Sequence, residues 1–407
     1  MALSIFTPSV TGMDAHAQAI GSVSTNIANM NTVGYRSIET MFQTLLGTTP
    51  ATGNTNSGDA SSRVGINGVS AHDRTLITQQ GTVTATGGAY DVALDVNNGF
   101  FMVEDSAGDL YYTRAGNFTS RIQDGVTYLV ANNGYFVDGF AAMDKNTFAG
   151  AATPIVIDAP LQSPVVPTTS VSIVANVPAT GVDVANYAFQ VYGANNEGNS
   201  VNMLFNKNEA ELNTWDVSFV MDNGVATTAN PVEVVFDGNG TLLSPKEINV
   251  TVTADNGDVN NVVIDIAKMT QYAGDDTITN ISQDGRASSN LKETFIDGYG
   301  ILQAVYDNGE RVNIAKLAVV GFDSPENLIQ SNGTMFEASN DVGESYFVIG
   351  SDTMSSNVLT SQAVESSPVN LEKQFSDLIV MQRAYTLNTT SFTTNNEMLQ
   401  TTVDILG

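Results

Sequence analysis

His16 and His72 are the only imidazoles in this 407-residue chain, and imidazole is the side chain best suited to proton transfer or zinc ligation near neutral pH. Neither has a second histidine or a cysteine at ligand spacing, and cysteine is absent altogether. Its absence removes disulfides, thiolate metal sites and a cysteine nucleophile. Asp237-Gly238-Asn239-Gly240 looks like the opening of a calcium loop. Such a loop needs glycine at its sixth place and a bidentate glutamate at its twelfth, and here Leu242 and Ile248 stand there. The run reads as a hairpin turn. No nucleophile elbow, phosphate-binding loop or dinucleotide-binding glycine pattern occurs. The 43 acidic residues single out no catalytic pair. No catalytic, cofactor-binding or metal-ligating residue is expected, and the chain is expected not to be an enzyme.

The charge that carries no chemistry still constrains partners. Against 43 acids stand 15 bases, a net charge of −28, which argues against nucleic acid or an anionic membrane surface as partner. The distribution is uneven: residues 61–360 carry 35 acids and 12 bases, whereas the two ends together carry 8 and 3. Apolar residues make up 42% of the chain, yet no run approaches the roughly 20 residues that span a bilayer. Membrane insertion is not expected. Met1–Val10 has no basic residue and no long apolar run, so a cleaved secretory signal is not expected either.

Those weakly charged ends carry the helical patterns. From about Pro8 to Ala28, with Thr7 as the expected N-cap, Val10, Met13, Ala17, Ile20, Ser24 and Ile27 recur at spacings of three and four, one narrow stripe. At the other end Leu371, Leu378, Tyr385, Phe392, Leu399 and Leu406 hold one heptad position. Phe375, Gln382, Thr389, Asn396 and Val403 hold its partner. Between the ends, Asn-Gly and Asp-Gly pairs at 98–99, 124–125, 133–134, 138–139, 223–224, 237–238, 256–257 and 308–309 punctuate short apolar or alternating runs. That is the pattern of β-hairpins. The expected fold is α+β and mainly β: helical terminal segments that pair as a coiled-coil-like core, with two nested β domains. The boundaries expected are a helical segment at 1–46, a linker at 47–70, a β-rich middle domain at 71–144 plus 291–362, an inserted outer β domain at 145–290, and a second helical segment at 363–407.

Local motifs give a resemblance. Asn26-Ile27-Ala28-Asn29, followed by Thr32-Val33-Gly34-Tyr35-Arg36, resembles the segment that ends the N-terminal helix in bacterial flagellar rod and hook subunits. Asp91–Phe101, Tyr112-Thr113-Arg114-Ala115-Gly116-Asn117-Phe118 and Asn133-Gly134-Tyr135 resemble that family's next block. Gln382-Arg383-Ala384-Tyr385, with Ser366–Asp377 before it, is similar to its C-terminal signature. Val191-Tyr192-Gly193, Asn213-Thr214-Trp215, Met269-Thr270-Gln271-Tyr272 and Gln283-Asp284-Gly285 look like the domain inserted in hook members and absent from rod members. Tyr90 and Asn97-Asn98-Gly99 depart from the family pattern, as a packing change and a turn change.

The resemblance implies a structural subunit of the curved hook that joins rod to filament. It also implies extracellular location on the flagellum, export through the type III apparatus, and a helical homopolymer that meets rod, hook-cap and hook–filament junction proteins. A distal-rod or junction protein is the alternative within the family; a secreted β-rich adhesin is the alternative outside it. The polymerisation seam is expected at Val10, Met13, Ala17, Ile20, Ile27, Leu371, Phe375, Leu378, Gln382, Tyr385, Phe392, Leu399, Val403 and Leu406. Asn388 and Asn395, in a stretch without charge between Arg383 and Glu397, are expected to face the lumen of the tube.

Overall fold

The computed structural model describes residues 6–48, 64–144, 147–181, 183–196, 198–351 and 358–406. They divide into two compact units, one built from residues 1–159, 294–304 and 312–407, the other from 160–293 and 305–311. The chain is mainly β, with one long helix near each end.

In the first unit, α1 spans Thr7–Ala28 with proline in its first turn, where the missing N–H costs nothing. Phe6 rather than Thr7 occupies the cap position, and it offers no side-chain cap. α2 spans Leu371–Leu406. Asn370 caps it, its Oδ1 accepting from the Lys373 N–H at 3.0 Å. The threonine-rich middle of α2 stays helical although its residues favour turns, because their hydroxyls bond back along the helix. Thr386, Thr390 and Thr394 donate to the carbonyls of Gln382, Thr386 and Thr390 at 2.7, 3.0 and 2.9 Å.

The expected helical segment 1–46 and linker 47–70 need correction. Ile38–Thr48 is a strand, β1, pairing antiparallel with β2, Val64–Thr75. Thr40, Phe42 and Thr44 lie at every second place among residues that favour extended backbone, and Ile38 to Leu46 repeats too briefly to favour a helix. Residues 49–63 of the expected linker lie outside the described residues.

The rest of this unit is a multistranded sheet around two apolar clusters. Gly99–Glu104 pairs with Leu110–Thr113, Phe136–Ala141 and Val319–Phe322, setting Phe101 opposite Thr113 and Val319. Phe101, Val103, Leu129, Val137, Leu317 and Val319 fill one cluster; Phe100, Phe322 and Phe336 head the other. Asp138-Gly139 is not a turn, as its composition suggested, but lies inside the strand Phe136–Ala141. Glycine is required there because a Cβ would sit 2.3 Å from the Lys316 carbonyl oxygen.

The second unit holds two five-stranded sheets. Val184–Tyr192 alternates strictly, burying Ala185, Tyr187, Phe189 and Val191. These side chains share one core with Val171 and Ile173 from the other sheet and with Trp215. Asp237 Oδ1 accepts from the N–H groups of Asn239 and Thr241 at 2.9 and 2.7 Å, the hairpin turn read from the sequence. Among the described residues no group of three or more acids or histidines is placed to hold a metal ion.

Candidate polymerisation surface

The end of α1 is fixed by its own sequence. Asn26 is 1% exposed, and its amide is fully used. Its Nδ2 donates to the Ile38 carbonyl at 2.7 Å and to Gln374 Oε1 at 3.1 Å, while its Oδ1 accepts from the Ile38 N–H at 2.8 Å and the Tyr35 hydroxyl at 3.0 Å. One side chain thus ties the last turn of α1 to β1 and to the first turn of α2. Burial pushes the Tyr35 hydroxyl up to about 12, so it remains a donor. Asn29 caps the same turn, its Nδ2 donating to the Thr25 carbonyl at 2.9 Å and its Oδ1 accepting from the Thr32 hydroxyl at 3.1 Å. Gly34, at φ 68°, turns the chain away. It lies so close to Ala115 that a Cβ would meet the Ala115 nitrogen at 2.4 Å.

Beneath that turn lies an ion cluster without solvent contact. Glu365 Oε1 accepts from Arg36 Nη1 at 2.7 Å, and its Oε2 accepts from Arg114 Nη2 and Nε at 2.9 and 3.1 Å. All three side chains are fully buried. The Gly81 N–H donates to Glu365 Oε1 at 2.8 Å, and the Gly34 N–H to the Glu365 carbonyl at 2.8 Å. Burial draws Arg114 down to about 10, with the nearby Arg36 pushing the same way and Glu365 opposing it. Two guanidiniums share one carboxylate, so each cation depends on the same anion. Arg36 and Arg114 sit in blocks that the motif reading quoted. Glu365 was not singled out, although an acid after the apolar pair Ala363-Val364, just before Ser366-Ser367-Pro368, was its one visible signal.

Above the cluster α1 and α2 run antiparallel. The rings of Phe6 and Phe392 are 5.0 Å apart, Ser9 Oγ donates to Ser391 Oγ at 3.3 Å, and Thr389 Oγ1 donates to Met13 Sδ at 3.3 Å. Gly12 lies so close to Asn388 that a Cβ would meet its amide at 2.9 Å. The face that α1 buries is therefore Ser9, Gly12, Ala15, Ala19, Ser22, Val23 and Asn26, not the stripe expected from the apolar spacing. Small residues let the helices approach closely. Of the expected seam, Val10 and Ala17 are exposed while Met13, Ile20 and Ile27 are half-buried. On α2, Leu371, Leu378, Phe392 and Leu399 are half-buried; Phe375, Gln382, Tyr385 and Val403 are exposed. The side chain of Leu406 lies outside what is described. Arg383 is exposed and makes no ion pair among the described residues. Asn395 is half-buried, and Asn388 donates to the Ala384 carbonyl at 3.1 Å against Gly12.

The hairpin completes the surface. Asp73 on β2 accepts from Ser22 and Thr40 at 2.8 and 2.6 Å and from Gln18 at 3.0 Å. Burial raises its carboxyl, but these hydrogen bonds outweigh that and hold it below the usual range. His16 stacks at a tilt on Phe42, 5.2 Å between rings, and burial lowers its basicity. Much apolar surface on the helices and hairpin remains uncovered within one chain, an arrangement suited to association.

Four family profiles match in chain order. They are "Flagella basal body rod protein" over residues 9–36, "Flagellar hook protein FlgE/F/G D1 domain" over 96–176, "Flagellar basal body protein FlaE D2 domain" over 162–286, and "Flagellar basal body rod FlgEFG protein C-terminal" over 360–405. The flagellar hook protein FlgE of Rhizobium meliloti (strain 1021) is 30% identical over 413 residues, covering 97% of each chain. That of Brucella suis biovar 1 is 29% identical, again with 97% of each covered. That of Escherichia coli (strain K12) is 27% identical, with 98% of this chain and 99% of that one covered. The crystal structure of Helicobacter pylori flagellar hook protein FlgE2 overlays 70% of this chain and 99% of its own at 13% identity and a TM-score of 0.40.

Proposed function

The chain belongs to the flagellar hook protein FlgE family, and from that premise we propose that it is the structural subunit that self-assembles into the flagellar hook. The end-to-end relationship to hook proteins carries this reading, together with the match of residues 162–286 to a D2 domain. The terminal helices supply the continuous core of the tube. They are long, nearly free of charge in the middle of α2, and apolar on faces that their own chain leaves open, so many copies pack without bringing like charges together. The coiled-coil-like seam belongs to that packed state, in which Phe375, Tyr385 and Val403 find covers they lack here. The acidic β domains lie outside and keep the tube soluble. The subunit reaches the growing tip through the flagellar type III apparatus, under a hook cap, and meets rod proteins below and junction proteins above. It functions outside the cell. Of the two amides assigned to the lumen, Asn395 keeps that role; Asn388 packs on Gly12 and gives it up. Electron microscopy of polymers grown from purified subunits tests the reading: curved tubes are expected, whereas straight rods or no polymer would count against it.

A further inference from the structure

A two-stranded ribbon needs a packing partner on at least one face, and β1–β2 has one on a single face. Thr40, Phe42 and Asp73 lie toward α1 through Gln18, Ser22 and His16. Side chains alternate along a strand, so Glu39, Met41, Gln43 and Leu45 point the other way, and Met41 and Leu45 remain 50% and 43% exposed. His72, opposite Met41 in the register, shares that face and is also exposed.

A second open apolar surface lies on α2. Val380, Leu387, Met398 and Ile405 fall at intervals of 7, 11 and 7 residues, close to whole numbers of turns, and so form one stripe. All four are more than half exposed. The stripe is turned away from α1, which meets α2 through Gln374, Asn388, Thr389 and Phe392.

We propose that in the polymer the outer face of the hairpin, centred on Met41 and Leu45, seats the Val380–Leu387 part of this stripe from a second copy of the chain. The inference rests on the hook-subunit reading and adds which surfaces meet. Two different patches on one chain join head to tail, and such a contact propagates into a helical array instead of closing into a pair. Charge permits the same match. At −28 per chain, copies repel wherever acids meet. The one charged residue between Val380 and Leu387 is Arg383, and on the hairpin face Glu39, two places from Met41, is already paired with Arg74 at 3.7 Å, so neither surface offers the other an unpaired acid. The spans agree as well: two helical turns separate Val380 from Leu387, about 10 Å, and Met41 lies about 13 Å from Leu45 along its strand.

Because the chain has no cysteine, single-cysteine variants report without background. Met41→Cys and Leu387→Cys subunits, purified separately, mixed and polymerised, are expected to form mixed disulfide dimers on mild oxidation, and only after assembly. His72→Cys, a change at an exposed polar position on the same face, is expected to lose maleimide reactivity about tenfold or more on polymerisation, as a site does when it reacts only by local opening. Equal reactivity of His72→Cys in monomer and polymer, or like-with-like dimers alone in mixed polymers, would overturn the proposal. A wild-type chain that forms no polymer in electron micrographs would instead overturn the hook reading, before any variant is made.

Discussion

Glu365 receives Arg36 Nη1 at 2.7 Å on one carboxylate oxygen and Arg114 on the other, with no side chain of the three reaching solvent. Replacing a shared anion leaves two cations facing each other in a low-dielectric site, and breaking a buried pair in this way costs about 3–5 kcal/mol. Glu365→Gln is therefore expected to lower the unfolding free energy of the first unit by that order, read as a lower denaturant midpoint with the slope unchanged. An unchanged midpoint would mean that the cluster contributes no net stability.

The approach of α1 to α2 depends on Gly12. A methyl group there meets Asn388, the end of a movable side chain, at 2.9 Å. Gly12→Ala is expected to cost about 1 kcal/mol and Gly12→Val about 1–3 kcal/mol, by overpacking. Adding Asn388→Ala to Gly12→Ala is expected to recover part of the loss, a coupling that a double-mutant cycle measures.

Asp138 provides a pH dependence. It is 1% exposed, neither carboxylate oxygen has a hydrogen-bond partner among the described residues, and burial with a smaller push from Glu104 raises its pKa from 3.8 to about 7. A carboxyl that binds its proton more tightly when folded contributes stability fully present below its unfolded pKa and lost as pH rises through the folded value. Thermal stability of the first unit is thus expected to fall between pH 5 and pH 8 on account of this group. Asp138→Asn is expected to flatten that fall by roughly 1–3 kcal/mol, read as the difference between calorimetric profiles at the two pH values.

The heptad seam of α2 has its own test. In the proposed hook packing, Leu399→Asp would place a carboxylate in the seam away from water, at a cost of several kcal/mol per subunit. Assembly is expected to fail while circular dichroism of the monomer stays close to wild type, since Leu399 is only half-buried in one chain. Normal tubes from this variant would remove Leu399 from the inter-subunit seam.

Much of this was legible in the residues. Proline in the first turn of α1, the heptad run of α2, and turn pairs such as Asn256-Gly257 and Asn308-Gly309, whose glycines do adopt positive φ, announce helical ends around β domains. Three features were hidden for physical reasons. The strand Ile38–Thr48 is stabilised by Asp73 and α1, partners that lie outside its own sequence window. Gly139 serves a close backbone approach from Lys316, 177 positions later in the chain, so its pairing with Asp138 mimicked a turn. The buried face of α1 is built from Gly12, Ala15, Ala19 and Ser22, and a search for large apolar side chains passes over a helix that packs by the smallness of its residues.

Gly34 and Glu365 are joined by the 2.8 Å hydrogen bond from the Gly34 N–H to the Glu365 carbonyl, so the chain leaves α1 and enters α2 side by side at one anchored point. A tensile load on the far ends of the two helices would divide between two covalent routes that reconverge there. Neither route could lengthen alone without shearing the Arg36–Glu365 contact. That point would act as a rivet, joining the two helices into one strut under load.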